Sequence, residues 1–444
     1  RPPRGRRRRA RLCATAGAER LPDSVEDASE VEAMMSELRS LGAGGGAGDN
    51  GTPAEASGSG DDAIDVSHVE RSGRVCVLGV PNSGKSSLVN ALVGAKVSIV
   101  SPKPQTTRQK VLGLALLSSR PGAPPDTQAI FVDTAGIMQV SAVPQEQGGP
   151  YRRRAKRLYP AGRLHKAMVK TAWKATRDVE AVWWVLDAEK CQMYGDYMPR
   201  CAELDGIPIG PPVKYAWWLH PELDEELAVL RKLRRVKKQV HVILNKVDIL
   251  EEAGIDVQEF TLGVREHLRE DLGRDEQGRD LLANLWPTSA TRDEASLVPL
   301  KLWLCENLPQ QSPIFPVAAI SDVPARVAAS EITREKLFGV LREEVPYATT
   351  VVNAVWRESP EGKLTLGQKV VVRTEGQMRI VRGQLRNITE SAEQEISESI
   401  NFGNPVELHF QVVVDPAWQD DEEYYTDVQG LLSQSGSLMF PRSG

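Results

Sequence analysis

The sequence predicts an α/β chain in which a largely parallel sheet carries helices on both faces, followed by a smaller α+β domain. Three observations carry that expectation. A short apolar run, Val75 to Leu78, leads through the glycine-rich turn GVPNSGKSS (79–87) into a helical pattern at Leu88, Leu92 and Val93. Two later apolar runs, in AIFVDTAG (129–136) and VHVILNKVD (240–248), also end in a polar turn. From Pro313 the chain changes character and supplies a second set of elements.

At the start, RPPRGRRRRARLCATAGAE is arginine-rich with no acid before Glu19. Residues 1–20 resemble an organelle transit peptide, and LCATA is similar to a plastid processing site. The expected compartment is the chloroplast stroma, with the mitochondrial matrix as the alternative. The chain has no initiator methionine, so a start further upstream is expected, and the basic run is alternatively an RNA-binding arm. Residues 21–70 are acidic and glycine-rich, cannot bury enough apolar surface to fold, and are expected to be a flexible linker.

Residues 71–310 are expected to bind a nucleotide. Gly79, four intervening residues and then Gly84-Lys85-Ser86 put a glycine turn at a helix N-terminus. There, backbone N–H groups face phosphate oxygens and the helix dipole favours the anion. Glycine at 79 and 84 lets the backbone approach without a Cβ in the way. Asn82, Ser83 and Ser87 complete the turn, Lys85 would reach the β- and γ-phosphates, and the Ser86 hydroxyl would ligate Mg2+. Asp133, at the end of the second run, can hold the magnesium through water, and the Gly136 N–H can face a γ-phosphate. The third run ends in Asn245-Lys246-Val247-Asp248. The two oxygens of the Asp248 carboxylate can take both N–H donors of guanine's Watson–Crick edge, N1–H and the exocyclic amine. Adenine lacks that pair, and a site built for such bonds rejects the analogue by roughly 10⁴ to 10⁵. The expected ligand is therefore GTP, with GDP as product. Later, LWPTSA offers the backbone of Ser289 and Ala290 to the guanine carbonyl.

Together the phosphate loop, KPQTTR, DTAG, NKVD and TSA resemble the five signature segments of the translation-factor-like GTPases, and PNSGKSS with QTTR is similar to the Era family. The resemblance implies a P-loop GTPase three-layer sandwich. It makes PKPQTTRQKVLGLALLSS the first switch, with Thr106 or Thr107, and Thr107 for preference, folding over the γ-phosphate and magnesium. A strand paired with 129–132 should follow. Many GTPases place a water-orienting glutamine after DTAG; Ile137 stands here and can neither donate nor accept a hydrogen bond, so slow intrinsic hydrolysis is expected. In related GTPases the asparagine at the position of Asn82 helps bind K+; the alternative is that Asn82 only stabilises its turn. Lys85, Asn82, Thr107 and Gly136 are thus the candidate catalytic residues, and Ser86, Thr107 and Asp133 the metal ligands. Two insertions are expected, near 140–163 with YRRRAKRLYPAGR and near 190–220 with GIPIGPPVKYAWWLHP. The basic run Arg152 to Arg157 is either a solvated face or an RNA contact. DVEAVWWVLDAEK reads as a buried strand, and PELDEELAVLRKLRRVKK as an amphipathic helix with Leu223, Leu227, Leu230 and Leu233 inward.

Residues 311–330 form a proline-punctuated connector that resembles the Era hinge. Residues 331–425 then supply helix, strand, strand, helix and strand in the order of a type II KH domain, an α+β fold, and the WQDDEE ending also resembles the family. In a KH domain a glycine loop between two helices clamps about four single-stranded nucleotides. That GxxG corresponds best to Gly383-Gln384-Leu385-Arg386, so its second glycine is an arginine. Arg379, Arg382, Gly383 and Arg386 are the expected RNA contacts. Glu390, Glu393, Glu395 and Glu398 would repel phosphate if they faced the groove, and otherwise lie on the solvent face. Residues 426–444 are an expected flexible tail.

With 444 residues the chain can hold two domains and substantial cores. A formal net charge of −5 argues against a protein that coats nucleic acid generally, so RNA contact must come from local patches. Aromatic content is only 5%, so the RNA reading leans on the KH resemblance rather than on stacking residues. The five cysteines show no CxxC spacing and suit reduced thiols in an intracellular compartment. The six histidines lack metal-ligand spacing, no internal repeat is evident, and no run of about 18 apolar residues predicts a transmembrane helix. The resulting expectation is a monomeric Era-like GTPase that uses GTP and Mg2+, binds small-subunit ribosomal RNA near its 3′ end and assists assembly of the small ribosomal subunit. The alternative is a GTP-sensing scaffold that docks protein with little turnover.

Overall fold

The structure, a computed structural model, describes residues 68–101, 103, 107, 108, 110–137, 163–195, 226, 229, 232–235, 239–419 and 421. The expected transit peptide, nearly all of the linker and of both insertions, and the tail lie outside the described residues, as do Thr106, Leu223, Leu227 and Leu230. Where the expected amphipathic helix is described, Glu226, Val229 and Leu233 are buried, a spacing of one helical face.

Six strands form the first sheet: β1 (Arg71–Leu78), β2 (Val111–Leu117), β3 (Thr127–Asp133), β4 (Ala181–Asp187), β5 (Val240–Asn245) and β6 (Leu282–Thr288). Their order is β2-β3-β1-β4-β5-β6. All neighbours are parallel except β2, which runs antiparallel to β3 from Val111 opposite Asp133 to Leu117 opposite Thr127. The helices are α1 (Lys85–Val93), α2 (Arg163–Lys174), α3 (Ala188–Gly195), α4 (Val247–Glu252), α5 (Val257–Leu272) and α6 (Val298–Asn307). Successive strand residues serve opposite faces. Cys76, Leu78, Val182, Trp184 and Val242 pack with Ala172 and Trp173 of α2 and with Val264 and Leu268 of α5. Val75, Val77, Trp183, Val185 and Ile243 pack with Leu88 and Leu92 of α1 and with Leu300 and Leu304 of α6. Covered on both faces, β3, β4 and β5 carry no exposed residue, which is why they read as unbroken apolar runs. β1 lies between β3 and β4, and the chain crosses from one side of it to the other between those strands, so the C-terminal end of β1 is the switch point where such sheets bind ligands.

The second sheet holds β7 (Thr350–Glu358), β8 (Leu364–Val372) and β9 (Val406–Val414), with β7 antiparallel and β9 parallel to β8. Helices α7 (Ala325–Val340) and α8 (Glu375–Ser399) cover one face through Leu337, Val381 and Ile388, and through Ile332, Ala392 and Ile396. A parallel pair needs a crossover, and α8 supplies it between β8 and β9. Helix α7 begins at Ala325, inside the segment expected to be the hinge. The connector before it is stitched to the edge of the first sheet: the Leu114 N–H donates to Ile320 O at 2.9 Å, the Leu112 N–H to Asp322 Oδ1 at 2.8 Å, and Ser321 Oγ to Leu112 O at 2.8 Å.

One expectation is overturned here. Gly383-Gln384-Leu385-Arg386 is not a loop between two helices, because α8 runs through it without a break for 25 residues. Val381, Ile388, Ala392 and Ile396 recur at helical spacing and are buried against the sheet, which holds both halves of the helix in one line. A single glycine weakens a helix by about 0.5–1 kcal/mol, too little to break one packed along its length. The second breaker is absent, since arginine is a good helix former. Two of the glutamates are also turned inward. Glu393 accepts from the Leu408 N–H at 2.9 Å, and Glu395 lies 2.5 Å from both Lys96 and Lys336.

A Cβ added at Gly383 would meet nothing within 4 Å. Gly383→Ala should therefore stabilise the protein by about 0.5–1 kcal/mol in denaturant unfolding; a loss of stability would mean that the glycine serves a turn.

Candidate functional site

The phosphate-loop candidates sit where β1 gives way to α1. Gly84 adopts φ +91°, and a Cβ there would fall 2.1 Å from Asn245 Nδ2. Asn245 leaves no room because it ties two loops together: Nδ2 donates to Ser83 O at 3.1 Å, and Oδ1 accepts from the Ala290 N–H at 3.1 Å. A Cβ at Gly79 would sit 2.7 Å from Val185 O, and one at Gly136 would sit 2.7 Å from Pro81 N. The Ile137 N–H donates to Gly79 O at 3.0 Å, strapping DTAG to the phosphate loop. Asn82 is exposed at the tip with φ +66°, a region asparagine tolerates better than most residues. Ser87 lies in the first turn of α1.

Three oxygen-bearing side chains converge beside this loop. Ser86 Oγ donates to Asp133 Oδ2 at 2.7 Å and lies 2.9 Å from Thr107 Oγ1. Asp133 Oδ1 and Ser83 Oγ are buried without a hydrogen-bond partner. Leaving such atoms unsatisfied is costly, and a hard cation and a phosphate would satisfy both, so the residues present fit Mg2+ and a nucleotide. Burial pushes the Asp133 carboxyl up, while the Ser86 hydrogen bond and the charge of Lys85 hold it back. Lys85 donates from Nζ to Val80 O at 2.7 Å, and its own burial lowers its pKa to about 8, against the pull of Asp133. Ile137 is 1% exposed within the core beneath β1 and presents nothing to an attacking water.

At the base-reading end, Asp248 accepts from Ser289 Oγ at 2.7 Å and lies 3.3 Å from Arg292 Nε. Arg292 also pairs with Glu252. Lys246 adopts φ +67° and places Nζ 2.6 Å from Asp187 Oδ2 at the end of β4. Neither Arg292 nor Asp187 was among the sequence candidates; the acid closing the apolar run of β4 was the available signal for Asp187. The Ser289 N–H donates to Ser296 Oγ at 3.0 Å and the Ala290 N–H to Asn245 Oδ1 at 3.1 Å, which fixes this loop beside Asn245 and Asp248. The short 3₁₀ turn Glu294–Leu297 is what brings Ser296 back over Ser289.

The first switch touches both domains. Next to Thr107, Arg108 donates from Nη1 to Thr349 O at 3.0 Å, and its guanidinium lies over the rings of Trp418 at 5.4 Å and Phe338 at 5.7 Å. Lys103 donates to Leu341 O at 2.6 Å, and Lys96 pairs with Glu335 at 2.5 Å. The RNA candidates Arg379, Arg382, Gly383 and Arg386 stand apart from this site, exposed on α8. Among the described residues there is no group of three or more His, Cys, Asp or Glu that could hold a metal ion, and no helix long and apolar enough to cross a membrane.

A phosphate beside Lys85 would favour its charged form, so binding takes up a proton wherever the free lysine is neutral. Because the free pKa is lowered to about 8, GDP affinity should be flat below about pH 7 and fall as pH rises through 8. Calorimetry at pH 7 and 9 should show a decrease of about tenfold with proton uptake at the higher pH; equal affinity without uptake would contradict this account of Lys85.

The family described as "50S ribosome-binding GTPase" matches residues 74–246. The protein named GTPase Era of Afipia carboxidovorans is 30% identical over 365 residues, covering 81% of this chain and 94% of its own. That of Mesorhizobium japonicum is 32% identical over 361 residues, covering 80% and 93%. Among solved structures, an Aquifex aeolicus Era variant bound to GDP·AlF4− is 27% identical, covers 81% of this chain and 98% of its own, and gives a TM-score of 0.60. Era in complex with MgGDPNP and nucleotides 1506–1542 of 16S ribosomal RNA, also 27% identical with the same coverage, gives 0.57. The similarity runs through both domains at an identity that shows descent, and the chain belongs to the Era GTPase family.

Proposed function

We propose that this chain binds and hydrolyses GTP with Mg2+, engages small-subunit ribosomal RNA near its 3′ end through its C-terminal domain, and assists assembly of the small ribosomal subunit. The observation that carries the reading is the Ser86, Thr107 and Asp133 oxygen cluster beside a phosphate loop, on the same sheet edge as Asp248. Ser86 and Thr107 would hold the magnesium directly and Asp133 through water. Held there, the ion would supply positive charge that offsets the negative charge of the phosphates. Lys85, the loop N–H groups and the Gly136 N–H favour the charge that develops on the transferring phosphoryl group, and their fixed positions spare reorganisation. With Ile137 in the core, no side chain at that position orients the water, so turnover is slow; a K+ ion beside Asn82 would add the positive charge that speeds it.

The small subunit is favoured over the large one because the relatives matched through both domains are Era proteins, one of them solved with 16S RNA, whereas the match whose description names the 50S subunit spans only residues 74–246. The helix, strand, strand, helix, strand order supports a KH-type domain. The arginine-rich residues 1–20 support an organellar, plastid location. The unbroken α8 favours a second reading, in which this domain docks protein and RNA affinity is negligible.

Removing one preorganised stabilising group typically costs about 10²–10³ in turnover. Thr107→Ala and Asp133→Asn should each reduce Mg2+-dependent GTP turnover on that order, measured by phosphate release in K+ and in Na+. Turnover that survives both substitutions would remove the metal assignment. An oligonucleotide from the small-subunit rRNA 3′ end that fails to bind the GTP-analogue-loaded chain at low salt would favour the protein-docking reading.

A further inference from the structure

We infer that Arg292 competes with the guanine base for Asp248: its guanidinium occupies that carboxylate in the empty pocket and withdraws to Glu252 when GTP or GDP binds. This rests on the GTP reading above and names a residue that sets how tightly, and for how long, the site holds its nucleotide. Both oxygens of Asp248 are engaged. Oδ1 accepts from Ser289 Oγ at 2.7 Å, and Oδ2 lies 3.3 Å from Arg292 Nε. Guanine brings two further donors, N1–H and the exocyclic amine, to the same carboxylate. Ser289 and the base can share it, because each carboxylate oxygen has two acceptor positions and these donors are neutral. The guanidinium differs, since its positive charge weakens the carboxylate as an acceptor and repels the partly positive N–H edge of the base.

The loop fixes the backbone around Arg292 while its side chain reaches into solvent. The Asp293 N–H donates to Ser289 O at 3.1 Å, and Asp293 Oδ1 accepts from the Ala295 N–H at 3.0 Å, which holds residue 292 in a tight turn beside the base pocket. The Arg292 side chain is 58% exposed and pairs with two acids. Asp248 is 17% exposed and Glu252 62%, so one acid lies in the pocket and the other in solvent. They stand four residues apart on α4, about 6 Å along its axis. A rotation of the arginine side chain carries its charge from the first to the second without leaving it unpaired.

Occupying Asp248 favours the empty pocket, because the guanidinium replaces the positive edge that a departing base removes. Arg292 therefore lowers nucleotide affinity and hastens release, and Glu252 opposes it by offering the guanidinium another partner. Lys246, the other cation of this loop, does not take that part, because its Nζ lies 2.6 Å from Asp187 Oδ2.

The test measures GDP affinity by calorimetry, and release of a fluorescent GDP by stopped flow, on the full chain with Mg2+. R292A should bind GDP about two- to fivefold more tightly, the range that exposed ion pairs cover, with the gain in slower release. E252Q should bind it about twofold more weakly, because the guanidinium then has only Asp248 to pair with. R292A/E252Q should match R292A, since Glu252 acts only through the arginine. Weaker GDP binding by R292A would mean that the arginine holds Asp248 ready for the base, and unchanged binding would mean that the pair is a surface contact without consequence. A double variant weaker than R292A would mean that Glu252 acts on its own. Each of these results overturns this inference and leaves the GTP reading intact, whereas no GDP binding by the unaltered chain overturns both.

Discussion

The carboxamide of Asn245 is the constraint on which the nucleotide site depends. It is 2% exposed, and with both its oxygen and its nitrogen engaged it bridges the phosphate loop at Ser83 and the base-reading loop at Ala290. A buried amide left half-satisfied costs more than its hydrogen bonds contribute, so the two loops are held at one separation. Gly84 follows from this, because no side chain fits between its backbone and Asn245. The positions of Lys85 and Ser86 follow from Gly84, since they open the helix that the turn begins.

Thr107 and Arg108 join this site to the rest of the molecule. One approaches the Ser86 and Asp133 oxygens, and the other lies against Thr349, Phe338 and Trp418 of the second domain. Consecutive Cα atoms are about 3.8 Å apart, which leaves no slack between the two contacts. Lys96 and Lys103 add ion-pair and carbonyl contacts on the same side. The connector, bonded along β2 at Leu112 and Leu114, adds a further attachment between the two sheets. A change at the phosphates that moves the switch therefore acts on the second domain directly.

The second domain keeps its element order while losing the feature that order suggests. Helix α8 is unbroken because Val381, Ile388, Ala392 and Ile396 pack on one sheet along its length. Its cationic residues end up on a helix face, where backbone N–H groups are spent on the helix and only side chains reach outward. The inward turn of Glu393 and Glu395 removes two of the four acids that would have opposed them.

What the sequence by itself determined is short in range. The spacing of Gly79, Gly84, Lys85 and Ser86 encodes a turn whose geometry is local, and the unbroken apolar runs of β3, β4 and β5 announce strands covered on both faces. Asp248 was legible because its neighbours carry the pattern with it. Tertiary structure decided whatever joins residues distant in sequence. Arg292 meets Asp248 and Lys246 meets Asp187 only once β4, β5 and β6 lie side by side. The N–H groups of Ser289 and Ala290 were claimed by Ser296 and Asn245, partners that no spacing rule assigns. Whether 383–386 would bend or run straight was likewise a contest between a local glycine preference of about 1 kcal/mol and the packing of a whole helix, and packing is settled only where the second sheet exists.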